Sequence, residues 1–586
     1  MQNSNWMIAY DKPEAGKFSE HSFEQESLMT LGNGYLKWRG APVWSQFSDG
    51  HFPGLYAAGV FNDASNLVNL PNPQLMRFTV NGALVKFDDA SIVDRKSFID
   101  LARGCQSDRY TVRTNGGFVI ITSTKYVDPL NFHAIGFEGT FSATFDGDLL
   151  IESLIDGADN REFQVTRVSD RMLQAKVDST DAEIVIAAKT FVNGILIEQA
   201  DNGADGNQLL ERTQLHFTAN EAVNFEKVIE VASSCEVENP AEVARRDVDS
   251  LPLVSIKENN ADYWAKLWKE ADVKLDIESS EESEEAELQR KIRLSVFHLR
   301  CSAQHSANQY LNASLILPEE DSDSENSVLP YYIANAPETA RDILTGMLKH
   351  TDSASLTVAY NLSLYELFTG DLSLLKDGGL EFLLKALKFW VNKAELAEDG
   401  YYHIEDGSGE LNRPLIGLLN YFFTLPKTLS AVSELNLREA AVKTGFDDKL
   451  FHKAQELSEK LYLGSNQEND NEKVLRRLVE KFDNADSASP VSPVSLSEMA
   501  SLVKVIQNGF AGVSLSDGDG VLTLAPNLPG SWHNLVFNQK IHGVKLNIEI
   551  TERLLILTAD QDLTVRVYGV KANLKAGILS TFALKK

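Results

Sequence analysis

Among the residues whose type and setting could do chemistry, Glu410 stands out. It closes the stretch Gly407-Ser408-Gly409-Glu410, which follows Tyr402-His403-Ile404-Glu405-Asp406. Phe389-Trp390 lies before it and Asn420-Tyr421 after it. A carboxyl group that burial keeps protonated near neutral pH can hand its proton to a leaving oxygen, which is general acid catalysis. A frame of aromatic rings and amides around such a group suits a polyhydroxylated ligand, because rings cover its CH faces and amides meet its hydroxyls. His403 lies close by and reads as a structural residue at a strand end rather than a second catalytic group.

The elements that must hold this loop are numerous, since 586 residues suggest two to four domains. Hydrophobic residues make up 43% of the chain and charged residues 24%, the profile of a globular protein. The formal charge of −29, from 55 basic and 84 acidic residues, argues against a nucleic-acid partner, because a phosphate backbone is repelled by such a surface. Cys105, Cys235 and Cys301 are widely spaced and read as buried thiols in a reducing compartment. No CxxC pair or histidine cluster has metal-ligand spacing, so neither a metal nor another cofactor is expected. The first residues lack a basic region followed by an apolar core, and no 18-residue uncharged apolar run occurs. A cytoplasmic protein without a membrane partner is the expectation.

Periodicity divides the chain. Up to about residue 260, short alternating runs such as 118–124, 182–188 and 194–198 predict strands of a large antiparallel β-sandwich. From Ala261 to about Trp268 the spacing turns helical, and 261–283 reads as a linker helix with the acidic run 278–285, a solvated helix start. Residues 284–512 read as a helical domain. The candidate helices are 284–305, 337–349, 354–368, 373–396, 414–433, 437–444, 447–461, 471–482 and 495–509, as in a bundle or toroid of helix pairs. The stretches 314–326 and 483–495 read as exposed loops. Alternation returns after Gly520, so 513–586 is expected to be a small antiparallel β-sheet domain.

Three stretches carry a resemblance. Glu26-Ser27-Leu28-Met29-Thr30-Leu31-Gly32-Asn33-Gly34-Tyr35-Leu36-Lys37-Trp38-Arg39-Gly40 is the most specific. Tyr56-Ala57-Ala58-Gly59-Val60-Phe61-Asn62 with Leu67-Val68-Asn69-Leu70-Pro71-Asn72 is the second. Gln507-Asn508-Gly509-Phe510-Ala511-Gly512-Val513 with Leu522-Thr523-Leu524-Ala525-Pro526-Asn527 is the third. Together they resemble glycoside hydrolase family 65, which includes maltose, trehalose and kojibiose phosphorylases. Read without the resemblance, the first stretch is structural: its glycines and Asn33 form turns, and Arg39 pairs with Glu26 inside the sandwich.

The resemblance implies an (α/α)6 barrel and an inverting reaction, in which one Glu protonates the glycosidic oxygen and phosphate attacks from the opposite face. Glu410 falls on that acid, in a loop that departs from the family's Gly-Pro-Asp-Glu-Tyr at Ser408, Gly409 and Leu411. Asp323 and Glu325, before Val328-Leu329-Pro330-Tyr331-Tyr332, fall on a substrate-binding motif that has lost its aromatic pair. The family's phosphate-binding His-Gly-Ser-Ser run has no match; Ser487 and Ser489 stand in its neighbourhood. Lys349 to Leu356 is too short for the family's Gly-rich and Phe-Pro-Trp-Glu elements. Twelve helices need on the order of 190 residues with their connections, and nine candidate segments point to an incomplete barrel. The resulting reading is a divergent member that keeps the scaffold, has lost phosphorolysis and retains at most binding of an α-linked glucosaccharide or an interaction role, as a homodimer or beside an intact paralogue. The alternative is an active inverting phosphorylase or hydrolase with Glu410 as acid and phosphate as co-substrate. A purely structural or interaction protein is the third class.

Overall fold

A computed structural model describes residues 4–11, 22–47, 51–62, 66–158, 162–169, 171–198, 200–202, 206–276, 284–303, 324–352, 354–404, 412–429, 436–461, 470–483, 494–515 and 520–585. The chain divides into two compact units. One holds residues 1–270, 279–322 and 479–499; the other holds 271–278, 323–478 and 500–586.

The first unit is a β-sandwich. Alternating apolar and polar residues give each strand one buried face, as in Gly117–Val127. A ten-stranded antiparallel sheet starts at Met7–Asp11 and runs through Ile92–Asp100, Cys105–Thr114, Gly117–Val127 and Ala134–Ala143 to Val223–Ser233. It continues through Glu183–Val192 and Met172–Val177 to Phe163–Ser169. A five-stranded sheet is centred on Gln208–Phe217, Gly147–Asp156 and Met76–Val80. Phe78 of the smaller sheet packs on Phe141 and Phe225 of the larger, with ring centroids 6.0 and 5.5 Å apart. Polar groups also join the two sheets: Ser153 and Thr190 hydroxyls meet at 2.7 Å, and Lys227 Nζ donates to the Leu154 carbonyl at 2.8 Å. Burial depresses the Lys227 ammonium to about 7, against the opposing attraction of Glu211.

Helices Pro240–Ser250 and Leu253–Ala271 close one side of this sandwich. Asn239 caps the first by accepting from the Glu242 N–H, and Pro240 sits at the first helical position, where no N–H is needed. Val248, Leu253 and Ile256 share a core cluster with Ala134, Val185 and Val228. The helix starts at Leu253, earlier than the Ala261 start expected from aromatic spacing. Of the three cysteines, Cys105 and Cys301 are buried, whereas Cys235 is exposed and departs from the expectation of three buried thiols.

The second unit combines helices with two sheets. Its helices include Ser324–Asn335, Pro337–His350, Leu356–Thr369, Leu380–Lys393 and Asn412–Leu429. Ser355 caps Leu356–Thr369 through the Val358 N–H, and Gly370 ends it at φ 71°, a left-handed position that glycine takes without strain. Lys274–Asp276, Asn534–Ile541, Val544–Thr551, Leu554–Ala559 and Ser580–Ala583 form a five-stranded sheet. A four-stranded sheet contains one parallel pair, Leu522–Leu524 with Leu563–Val567. The molecule is thus an N-terminal β-sandwich, a helical middle and a C-terminal β-sheet region. No helix among the described residues is long and apolar enough to cross a membrane.

Candidate functional site

Glu410, Asp323, Ser487 and Ser489 lie outside the described residues. Glu325 lies in helix Ser324–Asn335, and its side chain is outside what is described. The elements that follow these positions are in place: Glu410 precedes helix Asn412–Leu429, and Asp323 precedes Ser324–Asn335. His403 pairs in a short strand with Glu395, and its Nε2 meets Asp399 Oδ2 at 2.8 Å, in keeping with a structural role.

The second unit contains a cavity of about 260 Å3. Ser324–Asn335 lines it with Tyr331 and Asn335, Leu356–Thr369 with Tyr360 and Phe368, and Asn412–Leu429 with Asn420 and Tyr421. Lys504, Gln507 and Asn508 complete the helical wall, and Gln539 lines it from strand Asn534–Ile541. Gln507 and Asn335 exchange amide hydrogen bonds at 3.2 and 3.4 Å, and Gln539 Nε2 donates to the Ala334 carbonyl at 2.8 Å. Gly417 allows close packing here, since a Cβ at that position would fall 2.5 Å from Tyr360 Cε2.

The cavity begins past the starts of the two helices that follow the motif positions. Its first lining residues on the two motif-bearing helices, Pro330 and Gly417, are roughly 7–9 Å along the axis from the helix starts. No carboxylate lines the cavity among the described residues. The nearest acid in sequence to its wall is the buried Glu366. Burial raises the Glu366 carboxyl above its ordinary value, against a hydrogen bond from Tyr421 and the attraction of His542. Of the aromatic and amide pairs singled out in the sequence, Asn420 and Tyr421 reach the cavity. Phe389 and Trp390 do not line it: Phe389 is exposed, and Trp390 donates its indole N–H to the Ala354 carbonyl at 2.8 Å.

The N-terminal motif is a buried framework inside the first unit. The Glu26 carboxylate takes the Phe52 N–H at 2.8 Å, meets His51 Nδ1 at 2.5 Å and pairs with the Arg39 guanidinium at 3.7 Å. Burial alone would raise this carboxyl, but His51 and Arg39 hold it below its ordinary value. Arg39 also donates to Ser27 Oγ at 2.5 Å and to the Phe23 carbonyl at 2.6 Å. Asn33 Oδ1 accepts from the Tyr35 and Leu36 N–H groups, and Gly34, at φ 86°, donates to the Cys301 carbonyl at 2.9 Å. Lys125 Nζ donates to the Arg39 carbonyl at 2.6 Å, and burial lowers its ammonium to about 7. Every named group here is occupied by another part of the same unit, as the pairing of Arg39 with Glu26 anticipated.

Models of three successive domains of one protein family match this order of β-sandwich, helices and C-terminal sheet region. The glycosyl hydrolase family 65 N-terminal domain matches residues 14–267, the family's central catalytic domain 348–487 and its C-terminal domain 515–574. The trehalose 6-phosphate phosphorylase of Lactococcus lactis subsp. lactis (strain IL1403) is 31% identical over 786 aligned positions, covering 100% of both chains. The chain belongs to glycosyl hydrolase family 65. The kojibiose phosphorylase of Caldanaerobacter subterraneus subsp. tengcongensis is 24% identical over 62% of this chain, which spans 50% of that relative's length. A solved structure, a putative kojibiose phosphorylase from human microbiome, superposes with a TM-score of 0.78 at 14% identity, over 99% of this chain and 98% of that one. That likeness concerns the fold.

Sequence reasoning missed Lys504 and Glu366. Both carried a weak signal. Glu366 is a lone acid four residues after Leu362 on a helix rich in leucine, and Lys504 sits three residues before the Gln507-Asn508-Gly509 motif.

Proposed function

We propose that this chain keeps the scaffold of its family and the recognition of an α-linked glucosaccharide, and has lost phosphorolysis. The supporting observation is one of length. The alignment with the Lactococcus relative has 786 positions against a chain of 586, so segments of that relative have no counterpart here. The family's N-terminal domain is matched over 14–267, whereas the central catalytic match begins only at 348, beyond Asp323 and Glu325. On this reading the missing segments include the donors that stabilise a phosphate nucleophile and a charged transition state. A single general acid contributes roughly 10²–10⁴-fold, a small part of the acceleration such a reaction needs.

A second reading is favoured by the 31% identity extending across both chains. On it, Glu410 is the acid of an active phosphorylase, Asp323 and Glu325 hold the sugar, and trehalose 6-phosphate is the first substrate to try. Incubation with trehalose 6-phosphate, trehalose, kojibiose and maltose, with and without phosphate, separates the two. The expected result is calorimetric binding of at least one of these without release of glucose or glucose 1-phosphate. Release that Glu410→Gln lowers by roughly 10²–10⁴-fold establishes the second reading. Absence of any binding removes the first.

A further inference from the structure

Lys504 is the one charged side chain lining the cavity of the second unit among the described residues. It has no ion-pair partner among them, although the chain carries 84 acidic residues against 55 basic ones. The lysine is exposed, and the protein around it still lowers its pKa by partial desolvation. An ammonium on a cavity wall without an acidic partner among the described residues is available to a bound anion.

We propose that this cavity is a second ligand site, separate from the motif around Glu410, and that it takes a hexose phosphate with Lys504 as the counter-ion of the phosphate. The backbone supports the placement. Helix Leu496–Lys504 passes into a wide turn over Val505–Phe510, and this local change of winding presents Lys504, Gln507 and Asn508 together on the wall. Gln507 and Gln539 are engaged with Asn335 and the Ala334 carbonyl, which fixes the wall. Asn420 and Asn508 make no side-chain hydrogen bond among the described residues, so their amides are available to sugar hydroxyls. The Tyr360 ring, lying close to Gly417, offers an apolar face to the CH side of a pyranose. A volume of about 260 Å3 has room for a hexose-sized ligand.

Titration calorimetry on the full chain with glucose 6-phosphate, glucose 1-phosphate, glucose and inorganic phosphate tests this. Saturable binding of at least one hexose phosphate is expected, at least about tenfold tighter than glucose or phosphate alone, and weakened by added salt. Lys504→Met should lower that affinity by roughly tenfold or more, Lys504→Arg should largely restore it, and Glu410→Gln should leave it unchanged. Asn420→Ala, measured in parallel, should weaken binding of the whole sugar phosphate without changing the salt dependence. The proposal is overturned if no hexose phosphate saturates the protein, if glucose or inorganic phosphate binds equally well, if Lys504→Met binds as the parent does, or if Glu410→Gln abolishes binding. The last outcome would return the ligand to the motif site.

Discussion

The imidazole of His298 is fully buried in the first unit, where Nε2 donates to the Leu28 carbonyl at 3.0 Å and Nδ1 has no partner among the described residues. Burial, with a smaller repulsion from Lys37 and against the bond to Leu28, lowers its pKa from 6.5 to about 4. The unfolded chain therefore binds a proton between these values that the folded chain refuses, so stability falls as pH drops from about 6.5 to about 4. The full window corresponds to roughly 3 kcal/mol. His298→Asn keeps an amide donor and cannot titrate. Urea unfolding at pH 7 and pH 4.5 should show a smaller acid loss in the variant; equal losses would remove His298 as the cause. The comparison also marks what a sequence reveals about single residues. The Glu26–Arg39 pair was legible because two opposite charges flank an apolar, glycine-rich run. Lys504 was not, because a charge on a helix reads as solvated, and the absence of a partner becomes visible only in three dimensions.

At the scale of elements, helix Leu253–Ala271 is fixed to the sandwich by its tryptophans. Trp268 Nε1 donates to the Leu101 carbonyl at 2.7 Å, and Trp264 lies so close to Gly104 that a Cβ there would fall 1.9 Å from its Nε1. Gly104 also adopts φ 62°, a conformation L side chains rarely take. Gly104→Ala combines overpacking with backbone strain and should destabilise the protein by roughly 2–4 kcal/mol. Denaturant midpoints and tryptophan emission measure it, and an unchanged midpoint would show that the helix shifts freely. Periodicity recovered the existence and type of most elements here, including the strands 118–124 and 545–550, which the structure extends to Gly117–Val127 and Val544–Thr551. It missed helix Ser324–Asn335, because Pro330 lies in its interior and removes one backbone donor. Burial of Val328, Leu329, Tyr332 and Ile333 outweighs that loss, a tertiary effect invisible to local propensity. The site was less legible than the fold: the motif around Glu410 could be compared residue by residue, but the cavity is assembled from five segments far apart in sequence, and although Asn420–Tyr421, Pro330–Tyr331 and Gln507–Asn508 lie in stretches singled out in the sequence, nothing local shows that they converge.

At the scale of the molecule, the first unit is discontinuous: the chain leaves it after residue 270 and returns at 279–322 and 479–499. The returning helix Glu284–Cys301 fills places that the first 270 residues leave open. Phe297 stacks on Trp264 with ring centroids 4.4 Å apart, and the Arg293 guanidinium lies 3.7 Å over the Trp6 ring. His298 meets the Leu28 carbonyl, and the Cys301 carbonyl accepts the Gly34 N–H. The match of the family's N-terminal domain to residues 14–267 suggests a self-sufficient module, yet its defining motif depends on a carbonyl more than 260 residues away. A fragment of residues 1–271 would expose the Trp264 and Trp6 rings and strand the Gly34 N–H, losses of roughly 3–5 kcal/mol from Phe297 alone by analogy with truncating a buried aromatic ring. That is a large share of an ordinary folding free energy. The fragment should therefore be unstable or aggregate, and adding residues 279–303 through a short Gly/Ser linker should restore a cooperative transition. Thermal unfolding followed by near-ultraviolet dichroism measures both, and a monomeric 1–271 fragment that melts at the temperature of this unit in the full chain would show that the returning helix contributes nothing to it.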